Sequence, residues 1–300
     1  MPFKTLILVL TMATLTGACS VKKFAANQVG NAISGESSVY LSDNDPELVK
    51  EAIPFGLKTY ESLLEVTPKH RGLLLSAASG FISYAYMLQE EADEIDYDDF
   101  RAAQKLRARA SNLYLRGRDY AFRGLSIKNP DFLGRFMANP GGALALVEEK
   151  DISYLYWASA GWAAALSADK EDTDLIGSLP LAGQMMERVI ELDETFNDGA
   201  AWQFMVSYEG SRPNGEFSKA REYYERARAL SGNTNAGLYV ALAEAVSIPE
   251  QNLAEFRRLI EAAKAVDVDA KPDIRLINIL AQRRAQRLED RVEDLFLVSE

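Results

Sequence analysis

The feature that most constrains the fold is a pattern of small and larger residues that recurs along the chain at helical spacing. In four segments a small residue is followed, four and seven positions later, by aromatic, aliphatic or small residues. These segments begin at Gly56, Gly117, Ala182 and Ala220. A small side chain lets a neighbouring helix approach closely, and a bulky one fills the space beside it. The pattern therefore predicts helices that pack against one another in succession.

This spacing is the second-helix pattern of tetratricopeptide repeats. The intervals between the copies are irregular, and a generic helical bundle with chance matches is the alternative. Four copies in order favour the repeat, and no convincing set of alternating strands occurs in the sequence. We therefore predict an all-α fold, a degenerate tetratricopeptide-like helical repeat array, over residues 43–300.

Several helix boundaries can be predicted from capping residues and from charge. Asp45 is a natural N-cap, and Pro46 suits the first helical position. Two further helices are expected at about residues 71–91 and 100–127. Residues 152–168 form a stretch of 17 residues without a charge, which predicts a helix that is buried on all sides or lines a cavity.

The N-terminus has the organisation of a bacterial secretory signal that ends at a cysteine. Lys4 precedes a mostly apolar run from Leu6 to Leu15, and small residues follow. The run is too short to span a bilayer, which takes roughly 20 residues. Cys19, the only cysteine of the chain, stands at the expected cleavage point. An ordinary secretory signal with an incidental cysteine is the alternative.

We interpret residues 1–18 as a lipoprotein signal peptide and Cys19 as the lipidation site. Residues 19–42 are then expected to be a lipid-anchored flexible tether. Ser20, which follows the cysteine, favours export to the outer membrane. The expected location is the periplasm, with membrane contact through the lipid anchor only.

The charge of the chain limits its partners. Its net charge is −11, and removal of residues 1–18, in which Lys4 is the one charged side chain, makes it −12. Binding to nucleic acid needs clustered Lys and Arg, so an acidic surface argues against a nucleic-acid partner. The same charge argues against a body that lies flat on anionic lipid.

The sequence gives little support to catalysis. His70 is the only histidine and is expected in a turn, so a serine triad has no base. No phosphate-binding loop, dinucleotide fingerprint or zinc-protease motif occurs. The acidic run from Glu90 to Asp99 lacks the glycine and spacing of a calcium-binding EF-hand loop, and we interpret it as a solvated interhelical loop. No enzymatic activity, cofactor or metal is expected.

Five long strings resemble the T component family of lipoproteins associated with TRAP transporters, which are tripartite ATP-independent uptake systems. The strings are SDNDPELVKEAIPFGLKTYESLLE, LYLRGRDYAFRGL, DISYLYWASAGWAAAL, AEAVSIPEQNLAEFRRLIEAA and RLINILAQRRAQRL, and the resemblance covers about residues 39–297. It implies an all-α tetratricopeptide fold, a lipid anchor, a homotrimer and docking to a substrate-binding P component. It also implies a cavity through the array that suits an apolar or amphipathic ligand. No motif names the solute.

The charge-free helix supplies the candidate ligand contacts. Tyr154 and Trp157 lie in it, and Trp202 and Phe204 lie in the helix that begins near residue 199. These aromatic residues are ordinary core or, for some, the wall of a ligand tunnel, with Trp157 and Trp202 the leading candidates for the wall.

Arginines offer a complementary site for a charged head group. Arg109, Arg116 and Arg123 are seven residues apart and line one edge of a helix, and Arg116 is the candidate for a ligand carboxylate. Pairing with acids of an adjacent helix, or simple solvation, is the competing interpretation. It applies equally to Arg283, Arg284 and Arg287.

Two functions follow from these observations. The first is a periplasmic accessory protein of solute uptake that docks a binding protein and passes an apolar or amphipathic ligand. The second is a scaffold for cell-envelope assembly that has no ligand of its own.

Overall fold

The computed structural model describes residues 21–34, 38–169 and 171–297. Every regular element in these ranges is helical and none is a strand, which confirms the predicted all-α class. The predicted signal peptide and the lipidation site Cys19 lie outside the described residues.

The fifteen described α-helices are numbered in chain order. They are α1 (21–33), α2 (Ser38–Leu41), α3 (Pro46–Val66), α4 (Arg71–Ile95), α5 (Phe100–Leu125), α6 (Phe132–Ala138), α7 (Pro140–Leu144), α8 (Ile152–Ala168), α9 (Thr173–Leu192), α10 (Ala200–Ser211), α11 (Phe217–Ser231), α12 (Ala236–Leu242), α13 (Leu253–Lys264), α14 (Arg275–Asp290) and α15 (Val292–Leu295).

Polar side chains define where the long helices begin, and the sequence predicts this for Asp45. Asp45 accepts a hydrogen bond from the Leu48 amide at 3.0 Å, and Pro46 is the first residue of α3. His70 caps α4 in the same way, because its Nδ1 accepts from the Leu73 amide at 3.1 Å. Each side chain satisfies an amide that has no partner within the helix.

The charge-free helix has the predicted bounds, Ile152–Ala168. Its small residues let α5 and α9 pack against it from two sides. The hydroxyl of Ser159 is fully buried and donates to the carbonyl of Ala182 in α9 at 2.8 Å. Helix α8 is therefore a central element of the array, and this explains why it carries no charge.

Consecutive helices pack in the order α3, α4, α5, α8, α9, α10 and α11, and α12, α13 and α14 pack on one another beyond them. Gly117, Ala182 and Ala220 lie at buried positions of these contacts, as expected. Gly56 differs, because it is half-buried and faces the Tyr40 hydroxyl of the short helix α2. The tetratricopeptide character of the array stays a prediction.

The buried side chains form two hydrophobic cores. The larger extends from Val49 to Met205, and Leu276 and Leu280 of α14 join it from the far end of the chain. The smaller extends from Val206 to Phe296. Helix α14 also contacts α2, α3 and α4, so the end of the array returns to its beginning.

The segment before α3 differs from the predicted flexible tether. Residues 21–33 form helix α1, and residues 38–41 form α2. Ala26 and Gly30 of α1 are buried, so one face of the helix packs on the body of the protein. This packing stabilises a short helix that would be marginal by itself.

Candidate functional site at the closure of the array

A cleft lies where α14 meets α4, α5 and the segment after α12. Its volume is about 160 Å³. The lining side chains are arginines, acids and leucines: Asp93, Arg107, Glu244, Arg284, Arg287, Leu288, Arg291 and Leu295. The cleft therefore gathers charged groups from distant parts of the sequence.

Glu90, in the last turns of α4, is a buried carboxylate beside this cleft, 5% exposed. One oxygen accepts from Nη1 of Arg284 at 2.6 Å, and the other accepts from Nη2 of Arg287 at 2.6 Å. The two arginines are three residues apart on α14 and so lie on one face of that helix. Two charge-assisted hydrogen bonds offset much of the cost of burying the carboxylate.

Glu244 holds Arg284 from the opposite side. It lies in a π-helical turn, Ala243–Ser247, of a kind often found at functional sites. Nε of Arg284 donates to both Glu244 oxygens, at 2.9 and 3.1 Å. Burial lowers the pKa of Arg284, but the carboxylates of Glu244 and Glu90 outweigh it and hold this pKa well above its usual value. Arg284 is therefore a permanent cation shared by two elements.

Two further arginines complete the wall. Arg107 of α5 donates to Asp93 at 2.8 Å and to Asp96 at 2.7 Å, and this hydrogen bond lowers the pKa of Asp96. The guanidinium of Arg291 lies 5.5 Å from the centre of the Tyr97 ring. Its buried Nε finds no hydrogen-bond acceptor among the described residues. This Nε lies 3.8 Å from Oδ2 of Asp294, so Arg291 is held by a long ion pair and not by a hydrogen bond.

The chemistry open to this cleft is ion pairing. Guanidinium groups bind carboxylates in a planar, bidentate geometry and stay charged at any physiological pH. The lining residues include no serine, cysteine or histidine. The arrangement can clamp the two ends of the array together or exchange an internal acid for the carboxylate of a ligand.

The structure places the predicted head-group residue elsewhere. Arg116 pairs with Glu61 of α3, and its guanidinium lies 4.7 Å from the centre of the Phe81 ring. Burial raises the pKa of Glu61, but hydrogen bonds from Lys58, Tyr120 and Arg116 lower it by more, so the carboxylate stays charged. Pairing with an adjacent helix, the competing interpretation of the arginine row, describes Arg116 in this structure.

Tyr154 is a packed core residue, 3% exposed. Its hydroxyl donates to the Arg71 carbonyl at 2.6 Å, and the Arg71 guanidinium lies 4.8 Å from the ring centre. Burial raises its pKa to about 12. The side chain thus ties α8 to the start of α4.

The other three predicted contacts are half-buried and pair with neighbouring rings: Trp157 with Tyr156 at 5.2 Å, Trp202 with Tyr223 at 5.5 Å and Phe204 with Tyr208 at 6.2 Å. Trp157 and Phe204 pack on the larger core, whereas Trp202 packs on the smaller one. None of them lines the cleft or a second cavity of about 60 Å³ beside it, between α3, α4 and α14. Their role as ligand contacts stays a prediction.

Sequence reasoning missed Glu90. The solvated loop expected from Glu90 to Asp99 is wrong for its first part, because α4 continues to Ile95 and Glu90 is buried. The spacing of Arg284 and Arg287 by three residues was the available signal. It predicts a shared helix face, but not the partner that faces it.

The described chain is thus an all-α helical array. Ion pairs join its late helix α14 to the earlier helix α4. A family model described as the TRAP transporter T-component matches residues 42–296. The chain belongs to that family, whose members are accessory components of TRAP transporters and not known enzymes. It is also 30% identical over 305 residues to an uncharacterised protein of Treponema pallidum, covering 94% of each chain.

Proposed function

We propose that the chain is a non-catalytic periplasmic lipoprotein that docks the substrate-binding P component of a TRAP-type transporter. The observation that carries this proposal is the family match, which covers residues 42–296 and so includes the array from α3 to α15. The docking surface then belongs to the array as a whole, because the match is not confined to one segment. A homotrimer is part of the proposal and comes from the family resemblance.

The anchor in this proposal is the lipid on Cys19, after removal of residues 1–18. Among the described residues, no helix is both long and apolar enough to cross a bilayer. A diacylglycerol on the first residue of the mature chain supplies membrane attachment without such a helix. Ser20 directs the lipoprotein to the outer membrane in this scheme.

The absence of catalysis is also proposed. His70, the only histidine of the chain, is occupied as the cap of α4. A base engaged in this way is not available to activate a serine. Across the parts of the chain that the structure describes, no group of three or more His, Cys, Asp and Glu is arranged to hold a metal ion.

Passage of an apolar or amphipathic ligand is the finer part of the proposal, with Trp157, Trp202, Tyr154, Phe204 and Arg116 as its contacts. A specific observation favours the alternative, a scaffold for cell-envelope assembly without a ligand. Each of these five side chains has a packing or ion-pair partner within the protein.

The test is native mass spectrometry of the full-length protein, extracted from its own envelope in mild detergent. We expect a mass of three acylated chains with a periplasmic solute-binding protein attached. The Cys19→Ser variant is the matched control, and it should appear in the soluble fraction with the same partner. A complex with components of outer-membrane assembly or wall synthesis, and without a solute-binding protein, would establish the scaffold instead.

A further inference from the structure

Helix α1 is held firmly against the body of the protein along one face. A Cβ added at Gly30 would lie 2.9 Å from both His70 Nε2 and Leu73 Cδ1, so any larger residue would force His70 or Leu73 to move. At the end of the helix, a Cβ added at Gly72 would lie 2.9 Å from Cβ of Ser34. Helix α1 therefore docks on the first turn of α4, with side chains of one helix packed against glycines of the other.

A hydrogen bond fixes the same contact. Because His70 Nδ1 accepts from the Leu73 amide, the ring proton of the neutral imidazole lies on Nε2. Nε2 then donates to Oδ1 of Asn31 at 3.0 Å. The cap of α4 and the position of α1 thus depend on one side chain. The two hydrogen bonds of His70 fix the orientation of α1 on the body of the protein.

The opposite face of α1 is apolar and has no partner among the described residues. Val21, Phe24 and Val29 are 65%, 64% and 48% exposed. Ala25 and Ala32 are also exposed, and Gln28 is the one polar residue between them. At 100° per residue this face covers an arc of about 140°. Such a stripe on a docked helix is an interaction surface.

We propose that this face of α1 lies in the headgroup region of a phospholipid bilayer. The inference rests on the lipidation of Cys19, which stands two residues before Val21 and would place acyl chains beside the face. Lys22 lies at one edge of this face and Lys23 lies at the same end of the helix, in a chain with a net charge of −11. Basic residues beside an apolar stripe are typical of helices that bind anionic membrane surfaces.

This contact adds orientation to the attachment that the lipid provides. A lipid on a flexible tether leaves the body free to rotate. With α1 docked on α4, a bilayer bound to its outer face holds the array at one angle to the membrane. The acidic body is then kept off the anionic surface while the basic end of the chain lies on it.

The test uses the full-length acylated protein in vesicles of phosphatidylethanolamine and phosphatidylglycerol that carry headgroup spin labels. Phe24→Cys adds one free thiol, since Cys19 is blocked by its lipid, and this thiol carries a fluorophore. Phe55→Cys is the matched control, an exposed aromatic on α3 that is 82% accessible. We expect the lipid spin labels to quench the label at residue 24 by about threefold or more and to leave the label at residue 55 unchanged.

Val29→Cys provides a second reporter on the same face and should be quenched like residue 24. Equal quenching at residues 24 and 55, or none at residue 24, overturns the proposal. Protection of residue 24 from a thiol reagent without quenching means that a protein surface covers α1, and it also overturns the proposal. The parent protein, labelled in parallel, shows whether lipidation has failed, because a free Cys19 would itself take up the fluorophore. No transporter is present, so the docking function is tested separately.

Discussion

Several arginines of this protein stack on aromatic rings as well as pairing with acids. Arg109, Arg116 and Arg123, the row expected to hold a ligand head group, lie 5.5, 4.7 and 4.8 Å from the centres of the rings of Tyr84, Phe81 and Tyr120. A guanidinium is planar and weakly hydrated, so it stacks on a ring at little desolvation cost. Each arginine therefore covers the edge of the core with its charge still near solvent.

Alanine variants of Trp157 and Trp202 distinguish a packed array from a ligand tunnel, with the buried Trp162 as the reference. Trp162 is 5% exposed, and Trp162→Ala should lower the free energy of unfolding by about 3–5 kcal/mol. Trp157 and Trp202 are half-buried, so their alanine variants should lower it by about 2 kcal/mol each. Urea denaturation measures all three.

A tunnel would give another result at Trp157 and Trp202. If they line an existing void, truncation should cost less than about 1 kcal/mol and reduce the amount of co-purified ligand. Trp202→Phe is the sharper control for ligand binding, since it keeps an aromatic ring and removes a buried indole N–H that has no acceptor among the described residues. Retained ligand in Trp202→Phe would show that this donor is not used.

Buried tyrosines make the stability of the protein sensitive to alkali. Burial raises the pKa of Tyr156 from 10.0 to about 12. The folded state disfavours the ionised form of Tyr156. The free energy of unfolding is therefore unaffected by the ionisation of this residue below pH 10 and falls as the pH rises to about 12. At pH 11 the loss for one such residue is about 1.4 kcal/mol. Tyr156→Phe should therefore lose less stability than the parent between pH 9 and pH 11, as measured by urea denaturation at each pH. An identical pH dependence in both proteins would contradict this.

Among the elements, glycines decide how closely α4, α5 and α8 approach. A Cβ at Gly117 of α5 would lie 2.6 Å from Cγ1 of Ile82 and 2.8 Å from the Ala78 carbonyl oxygen. A Cβ at Gly161 of α8 would meet the same isoleucine, at 2.8 Å from its Cδ1. The two glycines form one seam around Ile82, and a backbone oxygen at that seam cannot move aside as a side chain can.

Two Gly→Ala substitutions separate packing from helix propensity. Gly117→Ala should lower the free energy of unfolding by about 1–3 kcal/mol through overpacking. Gly177→Ala, inside α9, has nothing within 4 Å of the added Cβ and should raise it by about 0.5–1 kcal/mol. Thermal denaturation compares both with the parent. A stabilised Gly117→Ala variant would mean that α4 and α5 are further apart than described.

At the scale of the whole molecule, closure of the array depends on ion pairs between the two ends of the chain. Arg284 and Arg287 hold Glu90, and Arg283 holds Glu47 at 2.5 Å. Leu276 and Leu280 of the same helix reach the larger core. The smaller core is thus joined to the larger one by α10 and by α14, and α14 contributes both ion pairs and apolar contacts to this junction.

Glu90→Gln should weaken this closure. Removing the charge leaves two partly buried guanidinium groups with a poorer partner, at a cost of about 3 kcal/mol. Glu47→Gln, in the exposed pair, should cost less than about 1 kcal/mol. Hydrogen exchange should rise along α14 in Glu90→Gln and stay unchanged in Glu47→Gln. Equal exchange in the two variants would show that apolar contacts alone hold α14.

The sequence by itself determined the all-α class and the bounds of several long helices, but it missed α1 and the end of α4. Periodicity, the caps at Asp45 and Pro46 and the charge-free run of α8 depend on neighbours within a few residues, so local pattern was enough to give the fold class and many boundaries. The family resemblance also lay in the sequence. Tertiary structure decided what the charged and aromatic side chains touch. Glu90 and its arginines are 194 and 197 residues apart, and Arg116 is 55 from Glu61. Partners at such separations are set by how helices pack, and composition carries no record of them. The apolar outer face of α1 became a surface in the same way, because only the docking of Gly30 on His70 shows which side of that helix is left open.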